Sequence, residues 1–155
     1  MKLRQLEQLN FDPSNCFVIG YSFGAHVALQ GSFLYGAKKV ARLDILDPAG
    51  PGFDFTQSTS IKNASESAQC VQCMHTSNNM GTVLRYCPFD ININCAVRAY
   101  IPPFSHIDVT QFYNDTLSDP KAHQLLKSKP IACTSQKNTP ILTDPDYMGF
   151  WFNNR

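Results

Sequence analysis

The sequence is short of net charge, of long apolar runs and of repeated or low-complexity segments. Its 13 basic and 12 acidic side chains sum to a formal charge of +1. Nucleic-acid and polybasic membrane-surface binding leave a strong imbalance or a basic stripe, so both classes are set aside. The only basic cluster, Lys38-Lys39-Arg42, reads as a solvated helix end beside a strand. No stretch approaches the roughly 20 apolar residues that a transmembrane helix needs. The N-terminal residues Met1 to Leu9 place leucine at every third position with charges between, and they lack the apolar core of a secretion signal. They read as an amphipathic helix ending before Asp12-Pro13-Ser14.

An apolar fraction of 43% in 155 residues is enough for one packed domain or for part of a larger one. Six cysteines, Cys16, Cys70, Cys73, Cys87, Cys95 and Cys133, are more than a cytosolic domain of this size usually carries. Asn63-Ala64-Ser65 and Asn114-Asp115-Thr116 are acceptor sequons for N-linked sugar. Together these features point to an oxidising, extracellular setting in which most of the cysteines pair and the Cys70 to Cys95 cluster pins a loop. A zinc site on Cys70, Cys73, His75, Cys87 and Cys95 is the competing reading, disfavoured because the second cysteine pair is too widely spaced.

Along the chain, a helix is followed by an apolar strand from Cys16 to Ile19, a turn, a helix from about Ala25 to Leu34, and a strand from Val40 to Leu46. That order is a β-α-β unit, which requires a parallel sheet with a right-handed crossover. Pro48, Gly50, Pro51 and Gly52 make a turn-rich loop from Asp47 to about Ile61. Residues 69 to 76 read as a third strand, and residues 77 to 105 as a long irregular loop. Residues 107 to 117 and 120 to 127 read as helices, and Phe150-Trp151-Phe152 as a closing strand.

The chemistry concentrates in Val18-Ile19-Gly20-Tyr21-Ser22-Phe23-Gly24-Ala25-His26, an apolar run that ends in Gly-x-Ser-x-Gly and then turns helical. A serine held on such a strand-to-helix turn is exposed as a nucleophile, and Gly20 and Gly24 stand where side chains would collide with neighbouring elements. The helix N-terminus favours the negative charge of a tetrahedral intermediate, with the Phe23 amide as one oxyanion donor.

A serine nucleophile needs a base, and the base needs a carboxylate. Asp47 falls at the carboxyl end of its strand, on the side where Ser22 belongs, whereas Asp44 lies within the strand and suits a structural pair with Arg42 or a loop amide. Among the four histidines, His26 rides the helix after Ser22 and reads as structural, His75 orders a loop, and His123 sits on a polar helix. His106 lies in the loop Pro102 to His106, where a mobile base belongs. Ser22, Asp47 and His106 follow the chain order of α/β-hydrolases.

These residues resemble the animal pancreatic-type lipase family, most closely its insect members, which include phospholipase A1-like enzymes. The resemblance is carried by Gly20 to His26, Leu46 to Pro51, His75-Thr76-Ser77 and Ser105-His106, and extends weakly from about residue 4 to residue 155. It implies a partial α/β-hydrolase fold with a mostly parallel sheet, one lipase-type catalytic domain over residues 1–155, and Ser22, Asp47 and His106 as nucleophile, acid and base. It also implies secretion, disulfides, and a lipid or acyl-ester substrate at a water interface. Nothing in the sequence indicates calcium, a nucleotide or another cofactor.

Three departures qualify the resemblance. The family's N-terminal strands and second oxyanion donor have no counterpart here, which raises the alternative of a catalytically inactive fragment. A lipid-binding or yolk-protein-like homologue is the other alternative. Phe104 stands where the family has a cysteine, so Cys95 is left to Cys87 or Cys73. The Cys95-to-His106 lid and the Thr76-to-Tyr86 loop look short, as in the phospholipase A1-like branch.

Overall fold

The computed structural model describes residues 2–55, 64–85, 87–93 and 103–118. Helix α1 covers Lys2–Glu7, strand β1 Phe17–Tyr21, helix α2 Phe23–Tyr35 and strand β2 Arg42–Leu46. Helix α3 follows at Ala64–Ser67, then strand β3 at Cys70–His75, strand β4 at Phe89–Asn92 and helix α4 at Phe104–Ser118. The strands form one parallel sheet in the order β1-β2-β3-β4. This is the expected α/β arrangement, a mostly parallel sheet in the manner of a partial α/β-hydrolase fold.

Two apolar layers sandwich the sheet. On one face, Ala25, Leu29 and Tyr35 of α2 and Ala64 of α3 pack on Leu43, Ile45, Val71 and Cys73. On the other face, Val109 and Tyr113 of α4 pack on Leu46 and Met74. Strand β2 is buried along its whole length, so its polar residues Arg42 and Asp44 must satisfy each other inside the protein. They do: Arg42 Nε donates to Asp44 Oδ1 at 2.7 Å, with both side chains nearly inaccessible.

The basic cluster therefore splits. Lys38 and Lys39 are solvated and meet Glu66 and Glu7, as expected of a helix end, but Arg42 is a buried partner of Asp44. In α1 Leu3 packs against the core while Leu6 is exposed, as is Leu9 beyond the end of the helix. Within the stretch read as irregular lies β4, whose Asp90 faces inward to receive His75 Nε2 at 2.7 Å. Cys73 and Cys87 form a disulfide with each other, so neither is left for Cys95, and the pairing removes both from any zinc site. Cys16 and Cys70 have no disulfide partner among the described residues. The expectations for Asn63, Cys95, His123, Cys133, residues 120 to 127 and Phe150 to Phe152 lie outside the described residues.

Candidate active site

Ser22 stands between β1 and α2 at φ 54° and ψ −121°, a conformation that costs a non-glycine residue on the order of 1–3 kcal/mol. Three backbone bonds hold it there. Its amide donates to the Leu46 carbonyl at 3.0 Å, and its carbonyl accepts from Ala25 at 3.1 Å and Ala49 at 3.2 Å. Gly20 is required below the turn, since a Cβ would meet the Ala25 Cα at 2.8 Å and the Ala28 Cβ at 2.9 Å. Gly24 differs from expectation: a Cβ there meets nothing within 4 Å among the described residues. Ser22 occupies the N-cap position of α2 yet makes no side-chain cap bond, which leaves its hydroxyl for another partner.

That partner is His106. Nε2 lies 2.8 Å from Ser22 Oγ, and Nδ1 lies 2.6 Å from Asp47 Oδ2. With its proton on Nδ1 facing the carboxylate, the ring has Nε2 free to accept a hydrogen bond from Ser22 Oγ–H. His106 is not in a loop, as its neighbouring prolines suggest, but in the first turn of α4, with its amide bonded to the Pro103 carbonyl at 3.0 Å. The Tyr21 ring lies 4.9 Å from the imidazole and limits its swing.

Asp47 follows β2 immediately, at φ 37°, and is fully buried. Its amide donates to the Met74 carbonyl at 2.7 Å. Oδ1 accepts the amides of Thr76 at 2.9 Å and Ser77 at 3.2 Å, so the end of β3 fixes one oxygen and leaves the other for His106. Gly81 completes this corner. A Cβ at Gly81 would collide with Asp47 Oδ1 and come within 2.6 Å of the Ser77 carbonyl. The sequence carries little signal for Gly81, because its neighbour is remote in the chain and only its turn-forming context, Asn78-Asn79-Met80-Gly81, hints at it.

The remaining described histidines are structural. The His26 ring stacks on Phe53, with centroids 3.6 Å apart and planes 5° apart, and its Nε2–H donates to the Ala49 carbonyl at 2.8 Å. Burial pushes its pKa below the ordinary value, against the opposing pull of the Ala49 carbonyl and the Asp54 charge. His75 is buried against Asp90, and burial also pushes its pKa down despite that carboxylate. Its Nδ1 is buried with no hydrogen-bond partner among the described residues, so a proton on that atom would find no acceptor there.

The Phe23 amide opens α2 and belongs to the helix-end N–H groups that have no intrahelical acceptor. An imidazole hydrogen-bonded to a serine, with a carboxylate behind it and a helix N-terminus beside it, is an arrangement that can draw a proton from an alcohol and favour negative charge nearby. Among the described residues the one cluster of metal-ligating types is Cys73, Cys87 and Asp90, and its two sulfurs are already joined to each other.

Comparison with known proteins agrees with this architecture. Hepatic triacylglycerol lipase of Oryctolagus cuniculus is 44% identical over 71 residues, which are 45% of this chain and 14% of that protein. Lipoprotein lipase of Sus scrofa is 39% identical over 70 residues, 44% of this chain and 14% of that one. Lipoprotein lipase of Homo sapiens is 39% identical over 71 residues, again 14% of its own length. The chain thus spans a small part of the curated relatives it matches. The family model described as Lipase matches residues 1–97, more than half of the chain, and the protein belongs to the Lipase family.

Proposed function

We propose that this chain carries the nucleophilic centre of a carboxylic-ester hydrolase acting on lipids, with Ser22 as nucleophile, His106 as general base and Asp47 as the carboxylate that orients it. The observation that carries the reading is the continuous hydrogen-bond chain from Ser22 Oγ through His106 to Asp47. Ser22 Oγ attacks the ester carbonyl carbon as its proton passes to His106 Nε2. The carbonyl oxygen takes the negative charge and is met by the Phe23 N–H. Collapse of the intermediate breaks the ester C–O bond, and Nε2 returns the proton to the departing alcohol. Water then attacks the acyl-serine with His106 again as base, releasing the fatty acid and restoring Ser22.

Lipid rather than polar esters fit the surroundings. Phe23, beside the nucleophile, and Phe104 and Ile107, beside the base, are all more than half exposed. Exposed apolar side chains around a polar centre suit acyl chains at an interface. The relatives named for triacylglycerol and lipoprotein substrates support the same substrate class. The short connection between β3 and β4 supports the phospholipase A1-like branch, because less covering surface suits a smaller substrate than a three-chain lipid. The Cys73–Cys87 disulfide and the exposed sequon residue Asn114 support secretion. The test is fatty-acid release from phospholipid vesicles and from triacylglycerol emulsion. Release that is abolished by Ser22→Ala and faster on phospholipid is the expected result. No release above that of Ser22→Ala on either substrate contradicts the proposal.

A further inference from the structure

Helix α4 touches the sheet through two carboxylates. Asp47 takes His106, and Asp44 takes the phenolic O–H of Tyr113 on Oδ2. Each carboxylate is divided in the same way. The sheet holds Oδ1 of Asp47 through the Thr76 and Ser77 amides, and Oδ1 of Asp44 through Arg42 Nε at 2.7 Å and Gln72 Nε2 at 3.2 Å. In both cases the second oxygen is given to α4.

The spacing of the two contacts is matched. Asp44 and Asp47 are three residues apart along β2 and its end, which at strand rise is about 10 Å. His106 and Tyr113 are seven residues apart on α4, about 10.5 Å and close to two full turns, so they share one helix face. Val109 fills the space between them and packs on Leu46 and Met74. Val109 and the Tyr113 ring would hold α4 against the sheet by burial alone, but apolar contact is non-directional and tolerates sliding. A hydroxyl on a buried carboxylate does not, because a shift of one residue takes the Tyr113 donor away from a buried oxygen of Asp44.

We propose that Tyr113 is a positioning residue for the esterase centre: its hydroxyl, seated on Asp44, fixes α4 lengthwise along β2 and so sets His106 between Ser22 and Asp47. The inference rests on the assignment of His106 as base. Burial and the Asp44 charge both favour the protonated phenol, the form that can donate.

The test compares wild type with Tyr113→Phe, which keeps the ring and its packing and removes only the hydroxyl. Two readouts are used: the rate of labelling by a fluorescent alkyl phosphonate at saturating probe, and the low-field proton resonance of His106 Nδ1–H. Tyr113→Phe is expected to slow labelling by about 10-fold to 100-fold with little change in the half-saturating probe concentration, and to weaken or shift the resonance. Asp44→Asn is expected to act in the same direction, and the double variant to be no slower than the slower single one. Labelling and resonance that match wild type in folded Tyr113→Phe overturn the proposal, as does a rate loss wholly explained by the unfolded fraction. If Tyr113→Phe does not fold, Asp44→Asn decides by the same readouts. If wild type itself is not labelled, the nucleophile assignment fails, and the resonance alone then decides whether Tyr113 positions His106.

Discussion

Nε2 of His106 lies 2.8 Å from Oγ of Ser22 although 84 residues separate them in the chain. Different constraints deliver each partner. Ser22 is fixed by the turn between β1 and α2, whose amide and carbonyl are tied to Leu46 and Ala49. His106 is fixed by a helix on the opposite face of the sheet from α2, anchored on Asp47 and Asp44. The two side chains therefore converge over the carboxyl ends of β1 and β2, where parallel sheets collect reactive groups.

Gly81 should be intolerant of any side chain. A Cβ there strikes Asp47 Oδ1, which the sheet holds in place, so the Gly81→Ala variant should lose about 1–3 kcal/mol of stability and also esterase activity. Gly31→Ala, within α2 with none of the described residues in reach of the new methyl, should instead gain about 0.5–1 kcal/mol. Urea unfolding measures both, and equal effects at the two positions would refute the packing argument.

Stability should fall on mild acidification. His26 and His75 have folded pKa values below that of an unfolded imidazole, about 6.5. Below that pH the unfolded chain binds protons that the folded chain refuses, so stability is complete above about 6.5 and declines as pH falls toward the folded values. Melting temperature measured from pH 8 to pH 5 should be flat and then descend. His75→Gln should make the descent shallower, and a wild-type profile that is level or rises toward acid contradicts the assignment.

Reduction should weaken the region that holds the acid. The Cys73–Cys87 disulfide closes a loop of sequence separation 14, which includes Thr76, Ser77 and Gly81. Closing a loop of that length contributes about 3 kcal/mol in the chain-entropy account. Peptide mapping of the oxidised protein should recover Cys73 linked to Cys87, and replacing both by alanine should lower the melting temperature. Recovery of either cysteine linked to Cys95 would contradict the pairing.

The parts of the fold that the sequence disclosed are those coded locally. Gly20 to Gly24, the β-α-β order and Asp47 before Pro48 are short patterns whose meaning does not depend on distant residues. The start of α4 was hidden because Pro102-Pro103 suggests a loop, whereas the Pro103 carbonyl accepts the first helix amides, from His106 and Ile107. Strand β4 was hidden behind Pro88 and by Asp90, a polar residue whose inward place makes sense only with His75 opposite. Arg42 carries two readings in the sequence, as part of a solvated basic cluster and as the partner of Asp44, and the burial of β2 along its whole length selects the second. The left-handed backbone of Asp47 and the contact with Gly81 are tertiary facts with no local code.

An activated Ser22 has a direct chemical signature. The most direct measurement is labelling of the 155-residue chain by a fluorescent alkyl phosphonate, with the modified residue located by mass spectrometry and with Ser22→Ala and His106→Ala as comparisons. The expected result is a stable adduct on Ser22 Oγ that is absent in Ser22→Ala and at least about 100-fold slower to form in His106→Ala, on the order of the contribution of a positioned general base. Folded wild-type protein that forms no adduct, or forms it elsewhere, would mean that Ser22 is not an activated nucleophile.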